Sequence, residues 1–67
     1  MSTENLTPVE LAVVNLIKEQ PLTSFQILKK VESISMIIVL YTVIDDLKNK
    51  GIVKSYIEQN VKYHCVA

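Results

Sequence analysis

Sixty-seven residues make one domain, and a chain this short buries only about 60% of the surface its unfolded form exposes. Its hydrophobic fraction of 49% therefore exceeds what the interior can absorb, which predicts an interface with a second copy or a protein partner. Seven Lys balance seven Asp and Glu with no Arg, which argues against a large phosphate footprint and leaves room only for a small one on one face.

Residues 1–6 are polar and are expected to be a disordered lead, with the domain spanning residues 7–67. Thr7, Pro8 and Glu10 form a helix start: a capping box with proline at the first position, where its missing N–H costs nothing. Val9, Val13, Leu16 and Ile17 follow at helical spacing, and Pro21 ends the helix near Glu19. Thr23 with Gln26 makes a second capping box. A short helix over residues 24–32 follows, with Phe25 at its start and Ile27, Leu28 and Val31 along one side. After a turn through Glu32, Ser33 and Ile34, a third helix is expected over residues 35–50. At 100° per residue, Met36, Leu40, Val43, Ile44 and Leu47 share its buried face. Ser35, Ile38, Thr42, Asp45 and Asn49 fall on the opposite one, with Ile37, Val39 and Tyr41 on the flanks.

Gly51 suits the residue after a helix end. Beyond it the period drops to about two. Residues 52–58 and 61–66 are rich in β-branched and aromatic residues, and Gln59 and Asn60 between them suit a tight hairpin. Helix, short helix, longer helix and hairpin define an α+β chain in the order of a winged helix-turn-helix. The stretch over residues 34–53 carries an apolar pair, Leu47, Gly51 and then Ile52 and Val53. It resembles the recognition helix and adjoining wing of bacterial winged-helix regulators, the ferric uptake regulator and multiple-antibiotic-resistance regulator families among them.

That resemblance implies double-stranded DNA as the partner and the exposed start of the third helix as the groove reader. Carried onto this chain, the reading residues are Ser35, Ile38, Tyr41 and Thr42, with Ile37 beside them. None is the Arg, Lys, Asn or Gln that usually reads bases. Thr and Ser can hydrogen-bond bases or phosphates, and Ile can touch a thymine methyl. Lys54 and Lys62 on the hairpin, and Lys29 and Lys30 on the second helix, are the candidate phosphate contacts. The competing reading is an adaptor that binds protein through Ile37, Ile38, Val39 and Tyr41, since exposed apolar clusters on small domains often mark partner surfaces.

Catalysis, a cofactor and a metal have little support. Gly51 is the sole glycine, so there is no phosphate-cradling loop, and one His and one Cys cannot supply a four-ligand zinc site. His64 and Cys65 are strand neighbours that point to opposite faces. Cys65 and Tyr63 are expected to cover the core, with His64 facing solvent. The lone Cys65 fits a reducing compartment. No apolar run approaches the roughly 20 residues that span a bilayer. The expectation is a soluble, cytoplasmic homodimer with no membrane contact.

Overall fold

A computed structural model describes residues 6–67. Three helices, α1 (Pro8–Glu19), α2 (Ser24–Lys30) and α3 (Ile37–Asn49), precede an antiparallel hairpin of β1 (Val53–Glu58) and β2 (Val61–Val66). The expected disorder of residues 1–5 lies outside the described residues, while Leu6 packs against the core.

Both capping boxes form. The Glu10 N–H donates to Thr7 Oγ1 over 3.2 Å and the Thr7 N–H to Glu10 Oε1 over 3.0 Å. Thr23 and Gln26 repeat the pattern at 2.9 and 3.2 Å. Each satisfies orphan N–H groups of a first turn, and the second lets α2 start with only four residues between it and α1. One core collects Val13, Val14 and Ile17 from α1, Ile27 from α2, and Leu40, Ile44 and Leu47 from α3. Leu22, Val31, Ile34 and Val53 from the connections and the first strand complete it.

Two helix limits depart from the expected ones. α2 stops at Lys30, because Val31 takes an extended backbone and turns its side chain into the core. α3 begins at Ile37, not at Ser35. Met36 is the N-cap, with φ −124° and ψ 133°, so the helical phase does not yet apply to it. It is 59% exposed instead of buried, and Ile34, reached by an Ile34 N–H bond to the Val31 carbonyl, fills the interior place. Of the predicted inner face, Leu40, Ile44 and Leu47 are buried and Val43 is half-buried.

α3 ends as the lone glycine requires. Gly51 has φ +77°, with its N–H on the Lys48 carbonyl and the Ile52 N–H on that of Leu47. This Schellman pattern redirects the chain into β1. At the hairpin tip both Gln59 (φ 53°) and Asn60 (φ 67°) are left-handed, as a two-residue turn matching the strand twist demands. The register pairs Val53 with Val66, Ser55 with His64, Tyr56 with Tyr63 and Ile57 with Lys62. Paired residues share a face. The face holding Val53, Ser55 and His64 turns inward, and the face holding Lys54, Tyr56, Tyr63 and Cys65 turns outward.

The expected orientation of β2 is thereby reversed: His64 is buried, only 4% exposed, and Cys65 lies on the opposite face, partly exposed. Buried Val53 fixes the phase of the hairpin, and its partner's parity carries His64 inward with it. His64 also bridges the segment between α1 and α2. Its N–H donates to the Leu22 carbonyl over 2.8 Å, and the Leu22 N–H to its carbonyl over 3.1 Å. The hairpin is thus pinned to the α1–α2 connection.

Candidate nucleic-acid interface

Every candidate contact residue is solvent-exposed, on three different parts of the surface, except Ile37, which is half-buried against the core. Ile38, Tyr41 and Thr42 occupy the first half of α3, with Ile38 63% exposed. Ser35 stands before the helix, in the extended segment leading to Met36. The Thr42 hydroxyl donates to the Ile38 carbonyl over 3.1 Å, four residues back, so only its lone pairs are free to accept from a ligand. Lys29 and Lys30 close α2, where their charges also suit the helix C-terminus.

The two hairpin lysines separate. Lys62 pairs with Ile57 on the inward side of the hairpin and Lys54 with Cys65 on the outward side. They do not face one ligand from a common surface. Lys62 instead joins Tyr41 in an open groove of about 650 Å³. Thr23, Ser24 and Phe25 form its α2 side, Tyr41, Ile44, Asp45 and Lys48 its α3 side, and Asn60, Val61, Lys62 and His64 its hairpin side. The structure thus brings Tyr41 and Lys62 together and leaves Ser35, Ile38, Thr42, Lys29, Lys30 and Lys54 outside the groove, with Thr42 on the α1 side of α3 beside Thr7 and Glu10.

Sequence reasoning passed over three of these groove residues. Lys48 lies seven residues after Tyr41 and three after Asp45, one stripe of the helix, and that spacing is the signal that places it beside them. Asn60 was assigned only to the turn. His64 was the least legible, since its place depends on the hairpin register and on Leu22.

The imidazole of His64 is held at both nitrogens. Nε2 lies 2.8 Å from Ser24 Oγ, the first residue of α2, and Nδ1 lies 2.7 Å from Ser55 Oγ on β1. A hydroxyl either donates or accepts, so a neutral ring is satisfied in either tautomer. Burial, followed by the positive charges of Lys62 and Lys48, holds its pKa below the usual histidine value. The ring fastens the hairpin to the start of α2 and fixes the width of the groove between them.

The electrostatics of the groove are modest. Lys48 and Lys62 face a single carboxylate, Asp45. Asp46, next along α3, forms a 3.4 Å ion pair with Lys50 and lies on the α1 side of the helix. On the outer face of the hairpin Tyr56 and Tyr63 stack at 5.6 Å. Among the described residues there is no group of three or more His, Cys, Asp or Glu placed to hold a metal, and no helix is long and apolar enough to cross a membrane.

No family model and no curated protein matches the chain. Among solved structures it is similar to a point mutant of Lactococcus lactis ZitR, with a TM-score of 0.87 at 20% identity. The match covers 100% of this chain and 47% of the other, so the chain spans about half the length of that protein. A likeness at this identity carries the fold, and together with the element order it makes the chain a winged helix-turn-helix.

Proposed function

We propose that this domain is a double-stranded DNA-binding module of a transcriptional regulator of the winged-helix kind its sequence resembles. The observation that carries this reading is the groove. Two lysines from different elements, Lys48 and Lys62, flank Tyr41 on an open surface between α3 and the hairpin. Phosphate contacts from such lysines set position, and the exposed α3 residues Ile38 and Thr42 supply apolar and hydroxyl contacts to base edges. With Asp45 in the groove and no net charge on the chain, the affinity is expected to be weak and strongly salt-dependent.

A second copy supplies what one domain lacks. We propose that the module works in the cytoplasm as a homodimer, doubling the lysines that meet the duplex and addressing two half-sites. Exposed Leu11, Met36 and Val39 support an apolar contact.

Binding fits the site better than catalysis. Ser24 and His64 have the spacing of a nucleophile and its base. The third member, however, is Ser55, a neutral hydroxyl that cannot stabilise an imidazolium as a carboxylate does, and burial lowers the ring's basicity.

The test is a fluorescence-anisotropy titration of a labelled mixed-sequence duplex at low ionic strength, repeated across a salt series. The expected slope of log affinity against log salt is about −2 to −4, at about −0.9 for each phosphate contacted. The absence of salt-sensitive binding would remove the DNA reading.

A further inference from the structure

His64 is the one described residue that both lines the groove and ties three other segments together: the Leu22 backbone, Ser24 of α2 and Ser55 of β1. The charged groups of the groove are Lys62 on its own strand, and Lys48 and Asp45 on α3. From α2 and β1 it meets only the neutral hydroxyls of Ser24 and Ser55. Burial opposes a charge on the ring, and both lysines oppose it further.

A phosphate seated between Lys48 and Lys62 changes that balance. It offsets the two ammonium charges and brings negative charge to the mouth of the site. The two serine hydroxyls turn to accept from both ring nitrogens, so the imidazolium keeps its hydrogen bonds. Resting on the DNA reading above, we propose that His64 couples occupancy of this groove by nucleic-acid phosphates to the uptake of one proton from solvent at its imidazole.

The sign follows from linkage. If the bound domain holds more protons than the free one, affinity rises as pH falls. Stability of the free domain moves the other way. The His64 imidazole is harder to protonate folded than unfolded, so its contribution is present above the ordinary histidine value and is lost as pH falls below it. The same proton therefore weakens the empty fold and strengthens the occupied one.

The experiment is isothermal titration calorimetry of the full chain with a mixed-sequence duplex, in two buffers of different ionisation enthalpy near pH 6.5. Anisotropy titrations from pH 5.5 to 7.5 accompany it, with circular dichroism confirming the fold at each pH. We expect a fractional proton taken up per domain, and duplex affinity about three- to tenfold higher at pH 5.5 than at pH 7.5. His64→Gln, which retains hydrogen-bonding ends but cannot charge, should bind with that pH dependence flattened. Asp45→Asn, which removes the carboxylate of the groove, should keep it. Duplex binding without proton uptake by the unaltered chain overturns the coupling and leaves the DNA reading standing. No duplex binding at any pH overturns both. Because calorimetry counts protons on the unaltered chain, a failure of His64→Gln to fold does not blunt the test.

Discussion

Lys50 Nζ lies 3.1 Å from Glu10 Oε1 and 3.3 Å from Oε2, joining the first turn of α1 to the end of α3 across 40 residues of sequence. Glu10 is almost fully buried, while Lys50 remains one-third exposed. The carboxylate also accepts the Thr7 N–H, so one buried side chain caps α1 and receives the cation that closes α3. The Thr7 N–H is the chief cause that lowers its pKa, with the Lys50 ammonium adding to it and burial opposing, to about 2 from 4.5.

Glu10→Ala removes the reciprocal half of the cap and leaves Lys50 without its buried partner. Urea or thermal denaturation should show a loss of about 2 kcal/mol, on the scale of a lost cap plus a charge-assisted hydrogen bond. The stability that depends on this carboxylate is present above pH 4.5 and is lost as pH falls from there toward 2. Glu10→Gln should flatten that acid limb. An acid limb unchanged by the substitution would show that the Glu10 carboxylate does not govern it.

The hairpin turn is left-handed at both central residues, yet neither is glycine. Replacing Asn60 with Gly, together with Gln59→Asn, installs the pair that this turn prefers. The expected gain is about 0.5–1 kcal/mol, or roughly 2–8 °C in Tm for a domain of this size. Gly51→Ala should act in the opposite direction. Its Cβ would meet nothing within 4 Å, so a loss of about 1 kcal/mol would come from the backbone alone.

These two turns show what the sequence made legible. Local chemistry announced every element: capping residues at Thr7 and Thr23, glycine at position 51, and a pair able to adopt left-handed geometry at 59 and 60. Contacts between distant residues stayed hidden. Nothing near His64 indicates that Ser24, 40 residues away, shares a hydrogen bond with its Nε2, or that Leu22 pairs with its backbone. Met36 fits the buried helical stripe only if the helix already includes it, and the extended backbone at its own position breaks that phase. The groove was half legible: Tyr41 and Lys62 could be named from the sequence, but their convergence with Lys48 depends on how the hairpin leans toward α3.

The placement of the lysines separates their roles in binding. Lys48→Ala and Lys62→Ala should each weaken duplex binding at all sequences alike and flatten the salt slope by about 0.9. Lys54→Ala, on the outward face of the hairpin, should alter the slope by much less. Equal effects from Lys54 and Lys62 in the same titration would mean that the duplex straddles the hairpin instead of lying in the groove.

Side chains facing out from α3 should govern preference instead of overall affinity. Ile38→Ala removes the largest exposed aliphatic contact of its first turn. If it meets a thymine methyl, selection from a randomised duplex pool should lose A·T preference at one position, worth about 1–3 kcal/mol of discrimination. Thr42→Val deletes a hydroxyl whose proton already goes to the Ile38 carbonyl, so it should leave the fold intact and alter preference less. An unchanged pool after Ile38→Ala would place the readout elsewhere on the domain.

Amide chemical-shift mapping shows whether nucleic acid occupies the groove between α2, α3 and the hairpin. On titration of the isotope-labelled chain with a mixed-sequence duplex, the largest shifts are expected at Ser24, Tyr41, Lys48, Lys62 and His64. Tyr56, Tyr63 and Leu11 should change little. Shifts centred on the stacked tyrosines or on the exposed face of α1, with the groove amides unmoved, would contradict occupancy of the groove.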